Sequence, residues 1–242
     1  YYWRVRVIDD LGNSSGYSTA RGFITDTIVF QVSASSPADG YETNVIDILL
    51  SWSAVADSVG IANYALEVSK STGFTSLTHS STVAGTILSD TALNLYNDTY
   101  YWRVRAIDDL GNIGPWSDTR GFVIDTVVFN VTLQQPANGH ETTNNMPLVK
   151  WATMSADSVG IDSYIIELSA KSDFSVMVQS DTVDGTNTSE SITAPLYNDS
   201  YYWRMRAIDN LGNETGFGVI YSFSVDTDVD SINLLYPSNG HE

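Results

Sequence analysis

The sequence predicts an all-β fold made of tandem β-sandwiches. Three observations carry that expectation. The chain repeats itself with a period of about 100 residues, it is built from short alternating apolar and polar runs between turn residues, and it holds no amphipathic helical run of useful length.

The repeat is plain to the eye. YYWRVR at Tyr1–Arg6 returns at Tyr100–Arg105 and as YYWRMR at Tyr201–Arg206. The stretch Tyr96–Asn112 recurs as Tyr197–Asn213 with three changes. ADSVGI recurs at Ala56–Ile61 and Ala156–Ile161, and Pro-x-x-Gly turns recur at Pro37, Pro136 and Pro237. A period of about 100 residues is a whole domain rather than a solenoid unit. Phased on the Pro-x-x-Gly turn, two complete units are expected at 28–127 and 128–228. Residues 1–27 then read as the last strands of a preceding unit, and 229–242 as the first strand of a following one. On this reading the chain is a window on a longer array.

Within a unit the alternation assigns faces. Ile48–Ser53 puts Leu50 and Trp52 on one side; Tyr64, Leu66 and Val68 face inward, with Ala65, Glu67 and Ser69 outward. Tyr100, Trp102, Val104 and Ala106 face inward, and Tyr101, Arg103 and Arg105 outward. Asn97-Asp98 and Gly111-Asn112 supply turns, while Pro115 and Gly121 punctuate the last hairpin. Buried Trp and Tyr, each covering roughly 150–250 Å², account for the aromatic content of 12% without invoking a site.

Composition excludes several classes of function. The 242 residues hold 29 Asp plus Glu against 11 Lys plus Arg, a formal charge of −18, which argues against nucleic acid and against electrostatic docking on anionic membranes. There is no cysteine, hence no disulfide scaffold, thiolate zinc site or cysteine nucleophile. No apolar run approaches the roughly 20 residues that span a bilayer, so no direct membrane insertion is expected of this segment. His140 and His241 share a repeat position with Tyr41, which a catalytic base would not do, and no Gly-x-Ser-x-Gly elbow occurs. An enzyme is not expected.

As a set, these motifs resemble bacterial or archaeal fibronectin type III-like (immunoglobulin-like) repeats of large extracellular proteins. The residues concerned are Trp52 and Trp151 in the second strand and Tyr64 and Tyr164 in the third. The Leu95-to-Tyr100 and Leu196-to-Tyr201 corners and the W-R-V-R-A-I-D-x-L-G-N tail followed by G-F-x-x-D-T complete the set. The resemblance implies seven-stranded Greek-key β-sandwiches in a rod-like array. Such repeats often place prolines after the Asp-Thr, whereas Thr126 runs on through Val127-Val128-Phe129, so one strand is expected to feed directly into the next domain.

In that topology Glu67 and Glu167 would lie beside the arginines of the neighbouring strand, a surface charge ladder rather than a phosphate clamp. The acids leave two readings open. One is a solvated acidic surface. The other is calcium at domain joints, because the loops after the second and sixth strands lie at the pole where the preceding domain's last strand arrives. Asp26 would then face Asp57 and Asp108, and Asp125 would face Asp157 and Asp209; a hard cation taking six to eight oxygens suits such convergence. Asn-x-Ser/Thr sequons at Asn13, Asn97, Asn130, Asn187, Asn198 and Asn213 permit glycosylation.

The expected role is structural: a segment of a long extracellular or cell-surface repeat protein forming a rod or filament, such as an adhesin stalk, surface-layer or fibre component. Its partners would be copies of itself or neighbouring repeats, by strand addition at exposed edges. The alternative is an accessory glycan-binding or spacer module of a secreted polysaccharide-active protein or phage fibre, with Tyr101, Tyr202 or Trp116 touching sugars.

Overall fold

The structure, a computed structural model, describes residues 1–154 and 157–228; the expected strand at 229–242 lies outside the described residues. Two compact units are present, one comprising Tyr1–Tyr41 and Ile46–Ile124, the other Glu42–Val45 and the chain from Asp125. Among the described residues every regular element is a strand. Among the described residues no helix is long and apolar enough to cross a membrane.

The chain opens with two short paired strands, β1 (Tyr2–Trp3) and β2 (Arg21–Gly22). Then follow β3 (Ala34–Ser36), β4 (Tyr41–Thr43), β5 (Ile48–Trp52), β6 (Ile61–Ser69), β7 (Leu77–Ala84), β8 (Ser89–Ala92), β9 (Asp98–Asp108) and β10 (Arg120–Ile124). They form a three-stranded sheet, β3-β5-β8, and a five-stranded sheet, β4-β10-β9-β6-β7. The alternation read from sequence is the burial pattern observed except at Ser69, expected outward, which is fully buried and donates its hydroxyl to the Ser76 carbonyl at 2.8 Å where β6 ends. Leu50 and Trp52 from the small sheet meet Tyr64, Leu66, Tyr100, Trp102, Val104 and Phe122 from the large one in a single buried cluster. The ring that Trp52 meets is Tyr64, at 5.6 Å between centroids. Edge strand β7 pairs with β6 rather than β8, which gives the type III-like partition of strands between the two layers.

The second unit repeats this plan with β11 (Leu133–Gln135), β12 (His140–Thr142), β13 (Leu148–Trp151), β14 (Ile161–Ser169), β15 (Met177–Asp184), β16 (Ser189–Ser191), β17 (Asp199–Asp209) and β18 (Tyr221–Val225). Its sheets are β11-β13-β16 and β12-β18-β17-β14-β15. Trp151, Tyr164, Trp203 and Phe223 centre its own buried cluster.

Two local devices fix the corners and faces. The Tyr201 hydroxyl donates to the Tyr197 carbonyl and accepts from the Tyr197 amide, both at 3.1 Å, as Tyr100 does with Tyr96. Tyr201→Phe leaves both groups without that partner and is expected to cost about 1–2 kcal/mol, read from the midpoint of urea denaturation. On the outer face Glu67 stands opposite Arg103 and Glu167 opposite Arg204, with ion pairs at 2.7 and 2.6 Å. The cross-strand charge ladder therefore forms where the register predicts.

One expectation is corrected. The chain does not run as a continuous strand from β10 into the next domain: β10 ends at Ile124 and no strand resumes before Leu133. Asp125 interrupts it, because its Oδ1 captures the Val127 amide at 3.1 Å and turns the backbone. The opening segment also stands apart from its counterparts. Tyr1, Trp3 and Val5 are 76%, 49% and 57% exposed, whereas Tyr100, Trp102 and Val104, at the same repeat positions, are all 0% exposed.

Candidate metal centre

The W-R-V-R-A-I-D-x-L-G-N tail ends in a turn that closes on its own aspartate. Asp108 Oδ1 accepts the amides of Leu110 and Asn112 at 2.9 and 2.8 Å, and Oδ2 accepts Asn112 Nδ2 at 2.7 Å. Gly111 supplies the left-handed residue the turn needs, at φ +86°. The same turn forms at Asp9–Asn13, in the exposed opening segment, so its cause is local. It forms again at Asp209–Asn213.

That turn grips the segment entering each unit. Asn112 Nδ2 also donates to the carbonyl of Asp26 at 3.0 Å, while Ser58 Oγ donates to Asp26 Oδ2 and the Ile28 amide to Oδ1. The hydroxyl bond first and the amide second hold the Asp26 carboxyl below its ordinary range. Asp57, in the connection between β5 and β6, accepts the Val59 amide at 3.0 Å. The result is three carboxylates, Asp26, Asp57 and Asp108, each offering an oxygen within 4.8 Å of the others. Asp108 is buried and the other two are half-buried. Among the described residues none of the three is paired with a lysine or arginine. Asp108 Oδ1 is filled by its two amides, but each of the three carboxylates keeps at least one oxygen with a lone pair beyond its hydrogen bonds, the kind of donor a hard divalent cation takes.

The second unit builds the same pole. Asn213 Nδ2 donates to the Asp125 carbonyl at 3.0 Å, and Ser158 Oγ to Asp125 Oδ2. Asp125 and Asp209 are buried. Asp157 is the outlier: its Oδ1 accepts the Val159 amide at 3.3 Å, but its Oδ2 is buried with no hydrogen-bond donor among the described residues. Burial foremost, and the charges of Asp125 and Asp209, push the Asp157 carboxyl above its ordinary value. One difference separates the two poles. Asn210 donates to the Val159 carbonyl at 2.7 Å, whereas its counterpart Asp109 lays a carboxylate oxygen against Gly60, 2.8 Å from where a β-carbon would stand.

Sequence reasoning picked out the aspartates but missed Ser58, Ser158, Asn112 and Asn213, which hold them. The signal was present: these residues belong to the repeated ADSVGI and LGN strings. The sequons separate in the same light. Asn13 and Asn213 spend their side-chain amides on Asp9 and Asp209, and Asn198 Oδ1 accepts from Thr227. Asn130 and Asn187 are exposed, as is Asn97. Glycans in a glycosylating host are expected at Asn130 and Asn187 and absent from Asn213, to be read by peptide mass spectrometry.

The aromatic platform does not lie open. Trp116 has Arg103 and Arg105 within 4.3 Å of its ring centre, and Arg103 is backed by Phe74 at 4.0 Å. Phe174 and Phe217 flank Arg204 in the second unit. Tyr101 and Tyr202 are half-buried. A serine, aspartate and histidine do meet at β7 and β8, yet in the wrong order for catalysis. Asp90 sits between them, taking Ser81 Oγ and His79 Nε2, so the imidazole never touches the hydroxyl it would have to deprotonate.

No protein-family model matches the chain, and no curated protein matches it. Among solved structures it is similar to the FN1-FN3 domains of chicken CNTN1, with 16% sequence identity and a TM-score of 0.39, covering 93% of this chain and 75% of that one.

Proposed function

We propose that the chain is a structural segment of a long extracellular repeat protein, a rod or filament of the adhesin-stalk, surface-layer or fibre kind, whose entering segments are fastened by calcium. The observation that carries this reading is the recurrence of one fastening. In each unit an aspartate of the incoming segment, Asp26 or Asp125, is held by a serine hydroxyl and an asparagine amide of that unit, beside two further carboxylates. Polar bonds to backbone position the segment; a cation bridging the carboxylates would cancel their repulsion and stiffen it. The large negative charge keeps such arrays soluble and discourages unspecific contact. The exposed apolar face of residues 1–27 supports reading them as the last strands of a further sandwich. Copies of this repeat are the partners the reading assigns.

Electron microscopy together with small-angle scattering of the full chain, in calcium and then in chelator, tests the proposal. Extended particles that shorten or bend on average under chelator are the expected result. Particles whose dimensions are compact in both conditions would overturn the rod, and extended particles indifferent to chelator would overturn the calcium.

A further inference from the structure

The second unit carries a groove that the first does not match in chemistry. It has a volume of about 360 Å³ and opens where the chain crosses between sheets, from β11 to β12, over the start of β13. Gln135, His140, Thr142, Asn144, Pro147 and Lys150 line it. Gln135 and Lys150 are direct cross-strand partners, so their side chains stand side by side.

Comparison of the two units isolates the difference. Near the aspartate clamp the repeats are almost letter for letter the same, yet five of these six positions differ. Ser36, Tyr41, Val45, Ile48 and Ser51 of the first unit stand where the second has Gln135, His140, Asn144, Pro147 and Lys150. Val45 to Asn144 brings a side-chain amide where there was only hydrocarbon, Ser36 to Gln135 exchanges a hydroxyl for a longer amide with two donor hydrogens, and Ser51 to Lys150 exchanges a hydroxyl for a fixed positive charge. Among the described residues no acidic side chain lines the groove, in a chain with 29 of them. Lys150 is half-buried and has no carboxylate partner among the described residues. Asn144 spends its Oδ1 on the Met146 amide, and Thr142 Oγ1 accepts the Asn144 amide. What remains in the groove is an excess of donors: the lysine ammonium and two side-chain amides.

We propose that this groove binds a carboxylated sugar, a hexuronate unit of an acidic polysaccharide. The carboxylate pairs with Lys150, ring hydroxyls take the amides of Gln135 and Asn144, and the apolar ring face rests on Leu148, which lines the groove and is 40% exposed. The volume sits at the low end for small-ligand sites and holds one or two sugar rings. A peptide fits less well. Pro136 directly after β11 and Pro147 directly before β13 have no amide hydrogen, so a strand laid into the groove would find its ladder interrupted on both sides. The site is independent of the aspartate clamps and of the structural role proposed above, and it gives an array a means of holding an acidic matrix.

The test is chemical-shift titration of the full chain with sodium glucuronate, with glucose and tri-glutamate as controls. A dissociation constant of about 1 mM is expected for a single ring, the range open to a ligand of about a dozen heavy atoms. Shifts should be confined to β11–β13. Lys150→Ser is expected to weaken binding at least about tenfold and Asn144→Val severalfold. The residues of the first unit are serine and valine there, in the same fold, so both variants should remain folded. Equal binding of glucose, stronger binding of tri-glutamate, affinity unchanged in Lys150→Ser, or no shift at tens of millimolar glucuronate would each overturn the proposal.

Discussion

Trp102→Ala is expected to remove about 3–5 kcal/mol from the stability of the first unit, the usual cost of truncating a buried tryptophan. The residue is fully buried, with Leu50, Trp52, Tyr64, Leu66 and Phe122 in the same cluster. The void left is too large for these neighbours to close, because they are themselves locked by strand register. Such a loss is a large part of the 5–15 kcal/mol that keeps an ordinary domain folded. The second unit has its own cluster around Trp151 and Trp203. Guanidinium denaturation followed by fluorescence should therefore show one transition moved far to lower denaturant and a second retained. A single transition displaced as a whole would show that the two cores do not melt separately. Trp102→Phe is expected to cost less than half as much: the indole Nε1 is buried without an acceptor, so the smaller ring also removes an unsatisfied donor.

The second large effect lies at Asp157. Without divalent cations at neutral pH, Asp157→Asn is expected to raise the melting temperature of the second unit by about 4 °C, the shift that about 1 kcal/mol gives in a domain of roughly 100 residues. The reason is a buried carboxylate oxygen with no donor among the described residues, facing two further carboxylates. Burial and those neighbours hold the folded-state carboxyl above its ordinary 3.8. Between that value and the raised one the folded chain binds more protons than the unfolded chain, so stability falls as pH rises through the window. The penalty is fully present above the raised value and gone below the unfolded one; the gain from Asp157→Asn should accordingly fade in acid. Calcium should reverse the ranking. At a hundred times its dissociation constant a bound ion contributes about 2.7 kcal/mol, a rise of about 10 °C for the parent chain, and Asp157→Asn should show little of it. Calorimetry with calcium, with magnesium and with chelator reads all of this. A parent chain indifferent to calcium would leave the acids as a solvated surface.

Much of this protein was legible in the order of its residues. Strict alternation at Tyr64–Val68 and Tyr100–Ala106 assigned both faces of the central strands, because a pleated strand leaves no other way to bury every second side chain. The repeat gave the second unit from the first. The pairs Glu67–Arg103 and Glu167–Arg204 followed from register, and the convergence of Asp26, Asp57 and Asp108 from topology. The turn at Asp108–Asn112 is determined by sequence alone, since it forms equally at Asp9–Asn13 without a sandwich around it.

Other features were decided only by the tertiary structure. A run of Val127-Val128-Phe129 reads as strand, yet Asp125 breaks it, because its carboxylate is held where it can capture the Val127 amide. Trp116 looked available as a platform until two guanidinium groups from the neighbouring strand closed on it. The groove of the second unit gathers Gln135, His140 and Lys150 from three strands, and no local pattern announces such a meeting. Alternation and turn chemistry act over a few residues and can be read along the chain. Which carboxylates share a pole, which ring is covered and which donors are left free depend on contacts between residues tens of positions apart, and only folding brings those together.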